Sequence, residues 1–195
     1  MPVDNILYLH GFNSTPEARK GRLTREACLQ LPARVRPRFE APLLPDDPTA
    51  GYETARQVLQ SFSGQTLIIG SSLGGFVATL LANRYDVEAV VLINPVVRPD
   101  LFIEAHHNQS FRHPQTGDVL RMSTALRTRV AAMVPKHVIH PERFTVYVSD
   151  ADEVIDHRQA MRFFRNTHLV MCPGENHTLD CYADVLPDIL ARGSF

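Results

Sequence analysis

Cysteine is scarce in this chain of 195 residues, which contains only three: Cys28, Cys172 and Cys181. A small, odd number of cysteines does not make the disulfide framework of a small secreted protein. We therefore expect a protein of a reducing compartment, in which each cysteine serves as a small buried apolar residue.

The chain also lacks a long apolar run. The first apolar segment, residues 6–9, is too short for a secretion signal, and no basic segment precedes it. No stretch approaches the roughly 18 consecutive apolar residues of a membrane-spanning helix. From these absences we expect a protein without a membrane span that is located in the cytoplasm.

Neither sign of charge dominates. The 20 basic and 21 acidic residues give a net charge of −1, and both signs are scattered along the chain. The local basic cluster of Arg34, Arg36 and Arg38 has the alternate spacing of a solvated face at a strand edge. This balance argues against a nucleic-acid or anionic membrane partner, so we expect a small-molecule partner.

Short apolar runs alternate with helical patterns. Strands are predicted at residues 6–9, 35–41, 66–69, 89–93, 144–148 and 169–171. Helices are predicted at residues 17–31, 52–62, 156–164 and 180–190, and directly after residue 72. The first helix is expected to be capped by Ser14 or Thr15. The alternation predicts an α/β fold of three layers, a mostly parallel sheet with helices on both faces, in one domain of residues 1–195.

Residues 96–140 interrupt this alternation, because they exceed what one crossover helix needs. A turn is predicted at residues 114–117 and a helix near residues 123–134. The length and polarity of the segment predict a small cap or lid over the functional site.

Residues 70–74, with the sequence Gly-Ser-Ser-Leu-Gly, are the most informative segment. They join a predicted buried strand to a predicted amphipathic helix, which is the context of a nucleophile elbow. Ser72 is the predicted nucleophile, because glycines flank it at positions 70 and 74, where a side chain would clash between the strand and the helix. The alternative is a glycine-rich turn with a packing role alone.

A serine nucleophile needs a general base and a carboxylate that orients the base. Among the nine histidines, His177 is the predicted base, since it follows the last strand near the end of the chain. Asp150, Asp152 and Asp156 compete as the acid. Asp152 is preferred because it lies free in a loop, whereas Asp150 is almost on the strand and Asp156 is expected to cap the next helix.

The loop after the first strand is expected to supply one oxyanion donor, the backbone N–H of Phe12, while the N–H of Leu73 supplies the other. Gly11 lets this backbone approach closely, and the His10 side chain is expected to fix the loop. His10 and Gly11 are also candidates for substrate contact.

Arg98 follows a strand end on the same rim. It could bind a substrate carboxylate or phosphate, or it could form a salt bridge at the base of the lid. The remaining histidines lack cysteine or carboxylate neighbours at metal-ligand spacing, so we expect no metal and no other cofactor.

Five motifs resemble the YqiA/YcfP-like family of small α/β-hydrolase esterases. They are the stretch from Ile6 through His-Gly-Phe-Asn-Ser at residues 10–14, and the segments at residues 69–76, 92–99, 152–156 and 174–177. The resemblance spans nearly the whole chain. It implies a compact, intracellular α/β-hydrolase fold and carboxylesterase activity through Ser72, Asp152 and His177.

Three functions therefore stay open at this stage. The first is a serine hydrolase that cleaves carboxylic esters through an acyl-enzyme. The second is a thioesterase that acts on acyl-CoA with the same residues, and the third is a non-catalytic binding protein on the same scaffold. Residues 96–140 do not align with the family pattern, and they are expected to shape the acyl pocket.

Overall fold

Six parallel strands form the central sheet of the structure, a computed structural model that describes residues 2–195. The strands of the chain are β1 (Asn5–Leu9), β2 (Arg38–Glu40), β3 (Thr66–Ser71), β4 (Ala89–Ile93), β5 (Ser110–Arg112), β6 (Val119–Arg121), β7 (Phe144–Ser149) and β8 (His168–Cys172). The sheet has the order β2-β1-β3-β4-β7-β8, and β5 and β6 form a separate antiparallel hairpin. Each strand predicted from the sequence is present.

Helices cover both faces of this sheet. They are α1 (Arg19–Gln30), α2 (Pro48–Gln60), α3 (Leu73–Ala82), α4 (Pro99–Ala105), α5 (Thr124–Met133), α6 (His157–Phe163) and α7 (Tyr182–Ala191). Side chains of α1 and α7 pack on one face, and side chains of α2, α3 and α6 pack on the other. The predicted three-layer arrangement is confirmed.

The two cores follow from the two-residue period of the strands. In β1, Ile6 and Tyr8 point to the face that α1 and α7 cover, while Leu7 and Leu9 point to the other face. Because both faces are covered, β1, β3 and β4 read as continuous buried runs rather than as alternating ones. Such a sheet brings the carboxyl ends of all its strands to one edge, where the predicted site residues lie.

The expected cap of α1 is wrong. The helix begins at Arg19, and Ala18 occupies the cap position without a side-chain hydrogen bond. The residues before it form a turn instead, in which the Ala18 N–H donates to the Thr15 carbonyl. Glu17 pairs with Arg25, at 2.7 Å, and so does not close a capping box.

Residues 96–140 contain α4, the β5–β6 hairpin and α5. The turn predicted at residues 114–117 joins the two hairpin strands, and α5 begins after Ser123, whose hydroxyl accepts a hydrogen bond from the Leu126 N–H. This segment has a small core of its own, formed by Ile103, Met122, Leu126 and Val130. Its role as a lid stays a prediction.

The basic cluster of Arg34, Arg36 and Arg38 is exposed, as expected, at the edge where β2 lies. Of the helices that the structure describes, none combines the length and apolar character required to cross a lipid bilayer.

Candidate active site

Ser72 lies alone between the end of β3 and the start of α3, with φ of 55° and ψ of −119°. This backbone conformation is rare for a residue with a side chain, and it is the sharp turn expected of an elbow. Hydrogen bonds hold the turn on both sides. The Ser72 N–H donates to the Ile93 carbonyl, at 2.9 Å, and the Ser72 carbonyl accepts from the N–H groups of Gly75 and Val96.

The glycines at 70 and 74 are required for two different reasons. A Cβ on Gly70 would lie 2.6 Å from the Gly74 carbonyl oxygen, so the expected clash between the strand and its own helix is confirmed there. A Cβ on Gly74 would overlap the carbonyl oxygens of Leu9 and His10 instead. Gly74 therefore leaves room for the backbone at the end of β1, the strand beside β3, rather than for β3 itself.

The structure brings Ser72, His177 and Asp152 into one hydrogen-bonded line. His177 Nε2 lies 3.1 Å from the Ser72 hydroxyl oxygen, and His177 Nδ1 lies 2.8 Å from Asp152 Oδ2. The His177 side chain is 18% exposed and that of Asp152 is 2% exposed. The solvent-shielded Asp152 carboxylate thus faces Nδ1 of the His177 ring. Nε2 of the same ring faces the Ser72 hydroxyl at the cavity.

The two other candidate carboxylates lie elsewhere. Asp150 Oδ1 accepts a hydrogen bond from the Gly174 N–H, at 2.6 Å. Asp156 caps α6 by accepting from the Arg158 N–H, as the sequence predicted. Among these three aspartates, Asp152 is the one that contacts His177.

Asp152 is held as an anion by its hydrogen bonds. Burial alone would raise the pKa of its carboxyl group, but the hydrogen bonds from His177 and from the N–H groups of Ile155 and Val154 outweigh burial and lower that pKa. A negative carboxylate here favours an imidazole with its proton on Nδ1, which leaves Nε2 free to accept the Ser72 proton.

Two residues that support the His177 loop were not foreseen from the sequence. The Asn94 amide donates to the carbonyls of Asn176 and His177, and its oxygen accepts from the Ser149 N–H. Glu153 Oε2 accepts from the His177 N–H, at 3.0 Å. Both residues lie in segments that carry the family resemblance, 92–99 and 152–156, but no pattern in the sequence indicated these contacts.

The loop at residues 10–14 lies beside Ser72. A Cβ on Gly11 would lie 3.0 Å from the Ser72 Cβ, which is tighter than ordinary contact, so this glycine allows the close approach that was expected. His10 is 2% exposed, and both of its ring nitrogens face backbone groups, the Gly11 carbonyl and the Leu44 N–H. Substrate contact by His10 and Gly11 stays a prediction.

The backbone donors proposed for an oxyanion have no internal acceptor. Within residues 2–195, neither the Phe12 N–H nor the Leu73 N–H donates a hydrogen bond to a protein group. Both residues line the cavity that contains Ser72 and His177. These two N–H groups are therefore available to a bound molecule.

That cavity has a volume of about 440 Å³. Its walls are mostly apolar, and Phe102, Ile103 and Met122 contribute to them from residues 96–140. Arg98 also lines it, but its guanidinium makes two hydrogen bonds to the buried Asp100 carboxylate, at 2.8 and 2.7 Å. The salt bridge is thus present, and contact of Arg98 with a substrate stays a prediction.

The part of the chain from residue 2 onwards contains no group of three or more His, Cys, Asp or Glu side chains placed to hold a metal ion.

Comparison with models of protein families shows which family this chain belongs to. The model described as "Uncharacterised protein family (UPF0227)" matches residues 5–192. The chain belongs to this family. The resemblance to YqiA/YcfP-like esterases that the sequence motifs indicated is thereby confirmed.

Solved structures that resemble this UPF0227 chain share its fold. Est1E from Butyrivibrio proteoclasticus has a TM-score of 0.73 at 15% identity, with 97% of this chain and 86% of Est1E covered. Alpha/beta hydrolase domain-containing protein 10 from mouse has a TM-score of 0.70 at 13% identity, with 93% and 86% covered. The esterase domain of a Rhodothermus marinus protein has a TM-score of 0.60 at 17% identity, with 99% and 85% covered. The predicted α/β-hydrolase fold is confirmed.

Proposed function

We propose that this UPF0227 protein is a serine hydrolase that cleaves carboxylic esters through an acyl-enzyme. The observation that carries the proposal is the hydrogen-bonded line from the Ser72 hydroxyl through His177 to Asp152, with distances of 3.1 and 2.8 Å. These are the distances at which a base can take a proton from a nucleophile and an acid can orient the base. The esterase and hydrolase names of the structural neighbours support the same class.

In the first step His177 Nε2 takes the Ser72 proton while the serine oxygen attacks the ester carbonyl. The imidazolium that forms is stabilised by the Asp152 carboxylate, and it then gives its proton to the leaving alcohol. Water attacks the resulting acyl-enzyme, with His177 as the base again. The acid product leaves and Ser72 regains its proton.

The tetrahedral intermediate carries a negative oxygen that the N–H groups of Phe12 and Leu73 stabilise. Both donors are backbone groups without another acceptor among residues 2–195, so they need no rearrangement when the charge develops. Loss of one such donor typically lowers kcat by ~10²–10³.

The substrate is a small ester with an apolar acyl group. A cavity of about 440 Å³ lies within the ~300–1,000 Å³ range of small-molecule sites. The apolar side chains of residues 96–140 form part of its wall, which supports the role of this segment in acyl selection.

The Ser72→Ala variant tests the proposal. It should lose hydrolysis of a short p-nitrophenyl ester and labelling by a fluorophosphonate probe, because both reactions need the serine oxygen. Ser71→Ala is the matched control, since Ser71 is the adjacent serine on β3, and it should retain both. Near-normal turnover in Ser72→Ala would end the proposal, and a wild-type protein that is neither active nor labelled would favour a binding protein.

A thioesterase would use the same residues, so a substrate comparison separates it from a carboxylesterase. We expect a higher kcat/KM for an oxygen ester than for the thioester of the same acyl group and matched leaving group. The reverse order would assign the protein to the thioesterases.

A further inference from the structure

The peptide group between Gly11 and Phe12 carries the N–H that is proposed to bind the oxyanion. The described chain contains no cis peptide bond, so the carbonyl oxygen and the N–H of this group point in opposite directions. His10 Nδ1 lies 2.9 Å from the Gly11 carbonyl oxygen. A side chain that holds this carbonyl therefore also sets the direction of the Phe12 N–H.

The tautomer of His10 follows from its second contact. The Leu44 N–H donates to His10 Nε2, at 2.9 Å, so Nε2 carries no proton and Nδ1 is the donor to the Gly11 carbonyl. Burial is the main cause that lowers the pKa of His10, which keeps the ring neutral. The imidazole thus joins the Gly11 carbonyl to the backbone at residue 44.

A second buried histidine holds the far end of the same loop. His113 is 3% exposed and comes from the β5–β6 hairpin. Its Nδ1 accepts from the N–H groups of Gln115 and Thr116, so its Nε2 is the donor to the Ser14 carbonyl, at 3.0 Å. The hairpin is therefore attached to the loop that carries the oxyanion donor.

The Phe12 ring makes a further attachment to residues 96–140. It packs edge-on against Phe102 and Phe111, with ring centroids 5.7 and 5.3 Å apart. Asn13 lies between Phe12 and Ser14 in the chain, and its N–H donates to the Asp46 carboxylate, at 2.6 Å. The loop is thus fixed on each side of the Gly11–Phe12 peptide group.

We propose that His10 and His113 are positioning residues that fix this peptide group, so that the Phe12 N–H faces the oxyanion. His10 acts on the peptide carbonyl itself, and His113 acts from residues 96–140 through Ser14. The inference rests on the proposed function, because it assigns a role within that reaction. Residues 96–140 then serve as a support for the oxyanion loop in addition to forming the cavity wall.

Asparagine and glutamine separate the two hydrogen bonds of His10. The Asn amide lies about where imidazole Nδ1 lies, so His10→Asn can still donate to the Gly11 carbonyl. The Gln amide lies about where Nε2 lies, so His10→Gln keeps only the contact with Leu44. We expect His10→Gln to lower kcat by about 10- to 100-fold with little change in KM, and His10→Asn to lose about threefold or less.

The order is reversed at His113, where Nε2 is the donor to the loop. His113→Gln can still donate to Ser14 and should retain most of kcat. His113→Asn keeps only the contacts with Gln115 and Thr116 and should therefore lose more kcat than His113→Gln. This loss should be smaller than that of His10→Gln, because residue 113 acts farther from Phe12. A merely structural role does not predict that Asn retains more kcat than Gln at residue 10 while Gln retains more than Asn at residue 113.

A thionoester provides a readout specific to the oxyanion. Sulfur accepts hydrogen bonds poorly, so the wild-type protein should favour the ester over the matched thionoester strongly. His10→Gln should reduce this ratio by about the same factor as kcat for the ester, because the thionoester gains little from the Phe12 donor. Thermal melting of each variant checks that it is folded.

Equal kcat for Asn and Gln at both positions, whether retained or lost, would overturn the inference, as would a change confined to KM or an unchanged ester-to-thionoester ratio. If both His10 variants fail to fold, the His113 pair decides by itself. Failure of the proposed function is distinct, since the wild-type protein would then lack both ester hydrolysis and labelling at Ser72.

Discussion

Four acidic side chains follow β7 within residues 150–156, and each binds a different group. Asp150 holds the Gly174 N–H, Asp152 the His177 ring and Glu153 the His177 N–H, while Asp156 caps α6. At the scale of single residues, a shift of one position, from Asp152 to Glu153, changes the group that a carboxylate holds from the His177 ring to the His177 N–H.

Asp152→Asn is expected to lower kcat by ~10³–10⁴, because a neutral amide no longer favours the tautomer of His177 that can accept a proton. Asp150→Asn is the control, since it removes only the charge opposite the Gly174 N–H, and we expect it to keep kcat within about tenfold. Ester hydrolysis by the two purified variants measures the difference. Equal losses would remove Asp152 from its proposed role.

The lowered pKa of Asp152 also makes stability depend on pH. Because the folded state holds the carboxylate more firmly than the unfolded state does, the unfolded chain binds more protons and stability rises with pH. This contribution is complete above about pH 5 and is lost as the pH falls below roughly 4. Denaturant unfolding from about pH 5 down to about pH 3 should show a shallower pH dependence in Asp152→Asn than in the wild type, and identical slopes would contradict the assignment.

At the scale of elements, the strands of the central sheet were predictable, whereas the start of α1 and the short helix α4 were not. The buried runs of β3 and β4 are apolar throughout, so their positions follow from composition alone. Near the start of α1, the Ser14 carbonyl accepts from His113, which is 99 positions away, and Glu17 pairs with Arg25 inside the helix instead of closing a capping box. Helix α4 was missed because its 7 residues are too few to show a helical period and, unlike α6, it has no side-chain cap at its start.

Ser123→Ala should destabilise α5 and with it the small core of residues 96–140. The Ser123 hydroxyl accepts from the Leu126 N–H at the helix start, and loss of such a cap costs about 1 kcal/mol. Ser123→Asn replaces one good cap by another and should change the free energy of unfolding by a few tenths of a kcal/mol. Urea unfolding followed by circular dichroism measures both, and equal effects would refute the role of the cap.

At the scale of the whole molecule, the site is formed by segments of five loops that meet at one edge of the sheet. The topology made this convergence predictable, because the candidate motifs follow β1, β3, β4, β7 and β8. The contacts that hold the loops together were not predictable. Asn94 reaches Asn176 and His113 reaches Ser14 across 82 and 99 positions, and no local pattern encodes such pairs.

The two cores should unfold together, because they share one sheet. The chain has no tryptophan and five tyrosines, of which Tyr52 and Tyr85 pack on the α2–α3 face and the others in the core under α1 and α7. In a Tyr52→Phe, Tyr85→Phe variant, tyrosine fluorescence therefore reports one face alone. Its urea midpoint should coincide with that from circular dichroism, and separated midpoints would indicate independent faces.

The positive φ of Ser72 has an evolutionary consequence. Glycine adopts such a backbone at little steric cost, whereas any other residue held there costs of order 1–3 kcal/mol. Selection for folding alone would therefore let glycine replace the serine. Folding therefore does not explain a hydroxyl-bearing residue at this turn, whereas the proposed reactivity of Ser72 does.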